Sequence, residues 1–159
     1  MDLADRMIEV ASCLCAQIIT DGSPEPCFCG VVPGDSVVLA YATDCESRDG
    51  MAWVRLISMY PSSTLGEQAF VPGNCTGGIG AEVELGIVRS YPVSGDGEEP
   101  PPAVLEEIVR QQVKDAMTLY RTVLCCSSLP SKDVIVGVYT PTPILGGLAG
   151  GTISVTVGV

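Results

Sequence analysis

From about residue 103 to 124, apolar side chains recur at three- and four-residue steps: Val104, Leu105, Ile108, Val109, Val113, Ala116, Met117, Tyr120, Val123 and Leu124. That spacing matches the turn of an α-helix and gives one wide apolar face. A face so broad needs an apolar surface to lie on. Residues 152–159 offer one, because Ile153, Val155, Val157 and Val159 alternate with Thr152, Ser154, Thr156 and Gly158. Alternation with period two marks a strand with one buried side. Glu106 and Glu107 sit early in the helix and Lys114 and Arg121 later, as its macrodipole favours, and the prolines before it suit a helix start.

The other elements follow from the same periods. Leu3, Met7, Ile8, Ala11, Leu14, Cys15 and Ile18 predict a helix over about 3–20. Asp2 caps it, Asp5 suits its positive end, and Asp21-Gly22-Ser23-Pro24 stops it. Strands are expected at Cys27–Gly30, Ser36–Ala42, 52–60, 81–92 and Val134–Thr140, with a turn at Pro33-Gly34-Asp35 and a polar loop over 43–50. In the 81–92 strand, Val83, Leu85, Ile87 and Arg89 share one face, and Glu82, Glu84, Gly86, Val88 and Ser90 the other. Glycine- and proline-rich stretches at 61–80 and 141–151 are expected loops, and 93–102 a solvated connector. This order predicts a single α+β domain over 1–159, a mostly antiparallel sheet with two helices on one face.

Charge narrows the function. Eight Lys and Arg against nineteen Asp and Glu give −11, and there is no histidine. Phosphate recognition and anionic membranes want a basic surface. Without histidine there is no Ser-His-Asp or Cys-His chemistry, no imidazole metal ligand and no imidazole switch. The acidic start, Asp2, Asp5 and Glu9, lacks the positive region of an export signal, and no apolar run reaches the length of a membrane span.

The remaining motifs are weak. Of the eight cysteines, Cys13 and Cys15 are two apart on a helix and point about 200° apart, too far to chelate one ion. No C-x₂-C occurs, so no metal is expected. Buried thiols acting as small hydrophobes are the leading reading. If a disulfide forms, Cys45 and Cys75 are the candidate pair, each in a loop beside a strand end. The glycine runs at 77–80 and 146–151 hold no lysine and are not phosphate loops. Glu82 and Glu84 fall on one strand face, but no basic or metal partner makes them an acid–base pair, so no catalytic residue and no cofactor are expected. Hydrophobic residues make up 47% of the chain and charged ones 17%, more apolar surface than a small lone subunit covers well; permanent assembly would cover it.

Four stretches carry a resemblance. Cys27-Phe28-Cys29-Gly30-Val31-Val32-Pro33-Gly34, Gly50-Met51-Ala52-Trp53-Val54-Arg55-Leu56, Val71-Pro72-Gly73-Asn74-Cys75, and the run from Tyr139-Thr140-Pro141 to Gly146-Gly147-Leu148-Ala149-Gly150-Gly151-Thr152 resemble head-to-tail connector proteins of siphophages infecting actinobacteria. The element order looks like the tail terminator fold. The resemblance implies a structural virion protein, assembled in the host cytoplasm. Its hexameric ring caps the tail tube, with the tube protein on one side and a head-tail stopper or connector on the other. A stopper or adaptor of the same neck is the alternative within this resemblance, and a small enzyme the alternative outside it. In that setting, six copies at −11 carry −66, and a negative bore lets DNA slide through without specific binding. Glu82, Glu84, Asp96, Glu98 and Glu99 are the candidate channel acids. Ser63, Leu65, Phe70 and Pro72 in the first long loop, and Ile144, Leu145 and Leu148 in the second, are the candidate docking residues.

Overall fold

The computed structural model describes residues 2–34, 45, 49–62, 64–67, 78–91, 100–129 and 134–159. In chain order these form α1 (Leu3–Thr20), β1 (Phe28–Val31), β2 (Met51–Ser62), β3 (Gly78–Ser90), α2 (Pro102–Cys125), β4 (Val134–Leu145) and β5 (Leu148–Gly158). The strand expected at 36–42 lies outside the described residues. One sheet holds all five strands in the order β1-β2-β3-β5-β4. Only β1 and β2 run parallel; the other pairs are antiparallel. Both helices cover one face, so the α+β architecture expected from the sequence is the one observed.

The core forms where the two periods meet. Met7, Val10, Leu14 and Ile18 from α1 and Leu119 and Val123 from α2 pack on Ala52, Val54, Val83, Leu85, Ile87, Ile153, Val155 and Val157. Strand alternation sends these residues to the helix side and Glu82, Glu84, Ser154 and Thr156 to the other. The register shifts at three places: between Leu56 and Ser58, between Val136 and Tyr139, where Gly137 and Val138 absorb the extra residue, and between Thr142 and Leu145. Asp2 caps α1 as expected, its carboxylate accepting from Asp5 N at 2.9 Å.

Two sequence expectations need correction. The apolar loop at 141–151 is a hairpin. β4 and β5 run through it, with only Gly146 and Gly147 between them, at φ 58° and 78°. Positive φ at both central residues suits a tight turn matched to strand twist, which glycine supplies without a Cβ clash. Pro141 and Pro143 fit because β4 is an edge strand, where a missing N–H goes unfelt. Likewise β2 and β3 reach Ser62 and Gly78, which shortens the expected 61–80 loop from both ends.

The second correction concerns α2. Its expected apolar face is only half buried. Ile108, Leu119 and Val123 face the core together with Asp115, Thr118 and Thr122. Leu105, Val109, Val113, Met117 and Leu124 face solvent, Val113 at 60% and Leu124 at 74% exposure. The helix is turned about its axis because its buried polar groups have partners. Thr118 Oγ1 donates to Asp21 Oδ2 at 2.6 Å, Thr122 Oγ1 donates to Thr118 O at 2.9 Å, and Asp115 is held by Arg89. Buried polar groups satisfied in this way cost little. In α1, Ile8 is likewise exposed rather than in the expected buried stripe.

Gly50 marks a tight approach. Its φ is +82°, and an added Cβ would lie 1.9 Å from Val88 O. Gly50→Ala is expected to lower stability by at least about 2 kcal/mol, from the left-handed backbone and the overlap together. Urea unfolding with an unchanged m-value would measure it.

Candidate functional site

The most elaborate polar arrangement joins four segments at one guanidinium. Arg89, at the end of β3, is buried beneath α2. Its Nε and Nη2 donate to the two carboxylate oxygens of Asp115, each at 3.1 Å, a bidentate pair 6% and 1% exposed. Its Nη1 donates to Asp49 O at 3.0 Å and to Pro24 O. Gln111 Nε2 donates to Asp115 Oδ1 at 3.0 Å, and the Asp49 carboxylate accepts from Ser90 N at 2.9 Å and from Ser90 Oγ. One side chain thus ties α2 to β3 and to the segments entering β1 and β2.

A recess of about 420 Å³ opens beside this hub, with Pro24, Val104, Ile108 and Ala149 on its walls and Gln111, Gln112 and Asp115 among its polar lining. The size suits a small ligand or a large side chain. Arg89 is paired with Asp115, and Asp49 and Glu107 also line the recess, so its polar side is acidic and its walls are apolar.

Tyr139, in β4, is within electrostatic reach of Asp115. Burial first, and the Asp115 charge second, push its phenol up to about 12. Its backbone N donates to Tyr120 Oη at 2.9 Å, and Tyr120 Oη donates to Gly137 O at 3.2 Å, which fixes the β4 bulge to α2. Because the folded value is raised, the fold favours the neutral phenol. That contribution is full below pH 10 and is lost as pH rises toward 12. An absorbance titration of the tyrosinates is expected to show one tyrosine ionising near 12, which Tyr139→Phe removes.

Asp21 closes the other end of the helix pair. Its carboxyl is lowered from its ordinary value chiefly by the Thr118 hydroxyl; burial, the next largest effect, opposes this, and Gln17 and Arg121 lower it further. Arg121 Nη1 reaches it at 3.0 Å.

On the helix-free face of the sheet, Glu84 accepts from Arg55 Nε at 2.7 Å and from Trp53 Nε1 at 3.0 Å. This candidate channel acid is therefore neutralised by a neighbour. Glu82 is half-buried on the same face, between Ser58 and Thr156. Asp96, Glu98 and Glu99 lie outside the described residues, as do Ser63, Phe70 and Pro72 of the docking set. Leu65 is half-buried in the turn bridged by Thr64 and Glu67. Ile144 and Leu145 belong to β4, not to a loop. Leu148 is buried with Val32, Met51, Trp53 and Val88 in a second small cluster, so it is structural rather than a free docking residue.

The cysteines form disulfides, against the expectation of buried thiols. Cys13 joins Cys126, Cys15 joins Cys29 and Cys27 joins Cys45. The candidate pair Cys45–Cys75 is thus corrected: Cys45 is taken by Cys27, and Cys75 lies outside the described residues. Cys125 is free and exposed. The opposed directions of Cys13 and Cys15 hold, since one reaches the end of α2 and the other β1.

The sequence reading placed Arg89 on the core side of β3 but not its partner. The signal was Asp115, an acid on the side of α2 that also carries Ile108, Leu119 and Val123. No helix among the described residues is long and apolar enough to cross a membrane. No protein-family model matches the chain, and no curated protein matches it.

Proposed function

We propose that the chain is a structural virion protein of the head-to-tail interface, the tail terminator whose hexameric ring caps the tail tube and joins it to the head. The observation that carries this reading is the turned helix. α2 buries Asp115, Thr118 and Thr122 and presents Leu105, Val109, Val113, Met117 and Leu124 to solvent. The helix already buries Ile108, Leu119 and Val123, so this is a second apolar stripe, and an obligate assembly covers such a stripe with its neighbour. The resemblance of the four sequence stretches supplies the kind of assembly, and the α+β order agrees with it. In this reading the chain is not an enzyme and holds no cofactor, and its acidity repels DNA passing through the ring. With Glu84 paired to Arg55, Glu82 is the better channel candidate among the described acids.

The three disulfides favour a second reading, an exported domain stapled against a reducing-free medium. A virion protein meets the same oxidising medium once the host lyses. Imaging of the assembled particle separates the two. Six copies in one ring against the tail tube are expected, and absence of the chain from every neck particle would overturn the first reading.

A further inference from the structure

The described surface carries two apolar patches of opposite charge. On α2, Val109, Val113, Met117 and Leu124 line the solvent side, with Arg110, Lys114 and Arg121 along one flank. From Val109 to Cys125 the only acid is Asp115, which is buried under Arg89, and Arg121 is paired with Asp21, so the positive charge free on this part of the helix is that of Arg110 and Lys114. Glu106 and Glu107 precede it by a turn.

The other patch lies along the seam between α1 and the edge strand β1. A groove of about 540 Å³ runs there, walled by Ala4, Met7, Ile8, Val31, Leu56 and Ile57. A second recess of about 450 Å³ continues it along the same seam and shares Ile8 and Val31. Ile8, Val31 and Ile57 are exposed. The exposed charges beside it are Asp2, Asp5 and Glu9, while Arg6 is turned away to donate to Gly158 O at 3.0 Å.

We infer that these patches fit each other across two copies of the chain: the α2 stripe of one subunit seats in the α1–β1 groove of the next. Apolar surface meets apolar surface, and Arg110 and Lys114 meet Asp2, Asp5 and Glu9, Arg121 being held by Asp21 of its own chain. The competing arrangement is α2 against α2 about a two-fold axis, and assembly by the groove variant alone would reveal it. Because the two patches differ, the contact is head-to-tail, the kind that closes a ring or continues as a filament. The inference deepens the ring reading above and rests on it for closure, but the contact itself stands on the two patches alone.

The test uses two full-length variants altered only at exposed positions. Val113→Glu with Met117→Glu breaks the stripe, and Ile8→Glu with Ile57→Glu breaks the groove. Circular dichroism and a cooperative melt check that each is folded. By sedimentation velocity, the wild type is expected to assemble and each variant to be a monomer. A one-to-one mixture is expected to give a dimer of about 33 kDa, twice the 16.5 kDa subunit, because each variant keeps one intact patch. Monomers alone in the mixture, or assembly by either variant on its own, would overturn the inference. As a second arm, Arg110→Glu is expected to weaken association about tenfold and Asp5→Lys in the same chain to restore it. If the wild type forms closed rings that the variants do not disturb, the contact is wrong and the ring reading survives. If the variants abolish assembly but the chain is absent from virions, the contact stands and the virion reading falls.

Discussion

Arg89→Met is expected to destabilise the protein by about 3–5 kcal/mol, the largest loss from any single charged residue here. The reason is what it leaves behind. Asp115 is 1% exposed, and both its oxygens accept from the guanidinium. Methionine fills comparable volume but leaves the carboxylate buried with only Gln111 as a donor. The carbonyls of Pro24 and Asp49 lose a donor as well. The double variant Arg89→Met with Asp115→Leu removes the stranded charge and replaces a polar pair by apolar packing. It is expected to recover about 2 kcal/mol or more of the loss, though not the part due to the two carbonyls. Urea unfolding of the four proteins in the cycle measures the coupling. A single variant within about 1 kcal/mol of wild type would mean that water reaches the pair and that the hub is not closed.

That hub also explains why the fold was more legible than the site. Alternation in Thr152–Gly158 and the capped stripe of Leu3–Thr20 are local signals, and the structure reproduces both except that Val159 and Ile8, expected inward, are exposed. The 141–151 stretch misled because glycine and proline mark loops in most settings. Here the proline pair sits on a sheet edge, and Gly146-Gly147 is the whole turn. The α2 stripe misled for a deeper reason. A helical wheel ranks faces by apolar content, and it merges the buried Ile108, Leu119 and Val123 with a second apolar stripe that is in contact with water. What orients α2 is a set of partners distant in sequence: Arg89 for Asp115 and Asp21 for Thr118. Those pairings join α2 to β3 and to the end of α1, so they exist only in the packed fold. Cysteine connectivity is illegible for the same reason, since eight cysteines admit many pairings and spacing alone selects none.

Removing the Cys13–Cys126 bridge by paired alanine substitution is expected to cost about 3–5 kcal/mol and to lower Tm by more than about 8 °C. The bridge spans 113 residues, so it ties the first helix to the end of the second across most of the chain. Closing so long a loop removes much of the unfolded chain's freedom, on the order of 4–5 kcal/mol. The bridges Cys15–Cys29 and Cys27–Cys45 span 14 and 18 residues and constrain less, about 3 kcal/mol each. They share the α1–β1 region with the long one, so the three losses should not add fully. Cys126 belongs to the core with Leu14, Leu85, Ile87, Leu119 and Ile153, and Cys13 and Cys29 pack against it. The combined loss is comparable to the whole stability of an ordinary domain, about 5–15 kcal/mol. Protein kept in thiol reductant is therefore expected to melt at a much lower temperature. Peptide mapping without reduction should recover Cys13–Cys126, Cys15–Cys29 and Cys27–Cys45. Recovery of Cys45 bound to Cys75, or an unchanged melt on reduction, would show that the sulfurs do not staple α1 in this way.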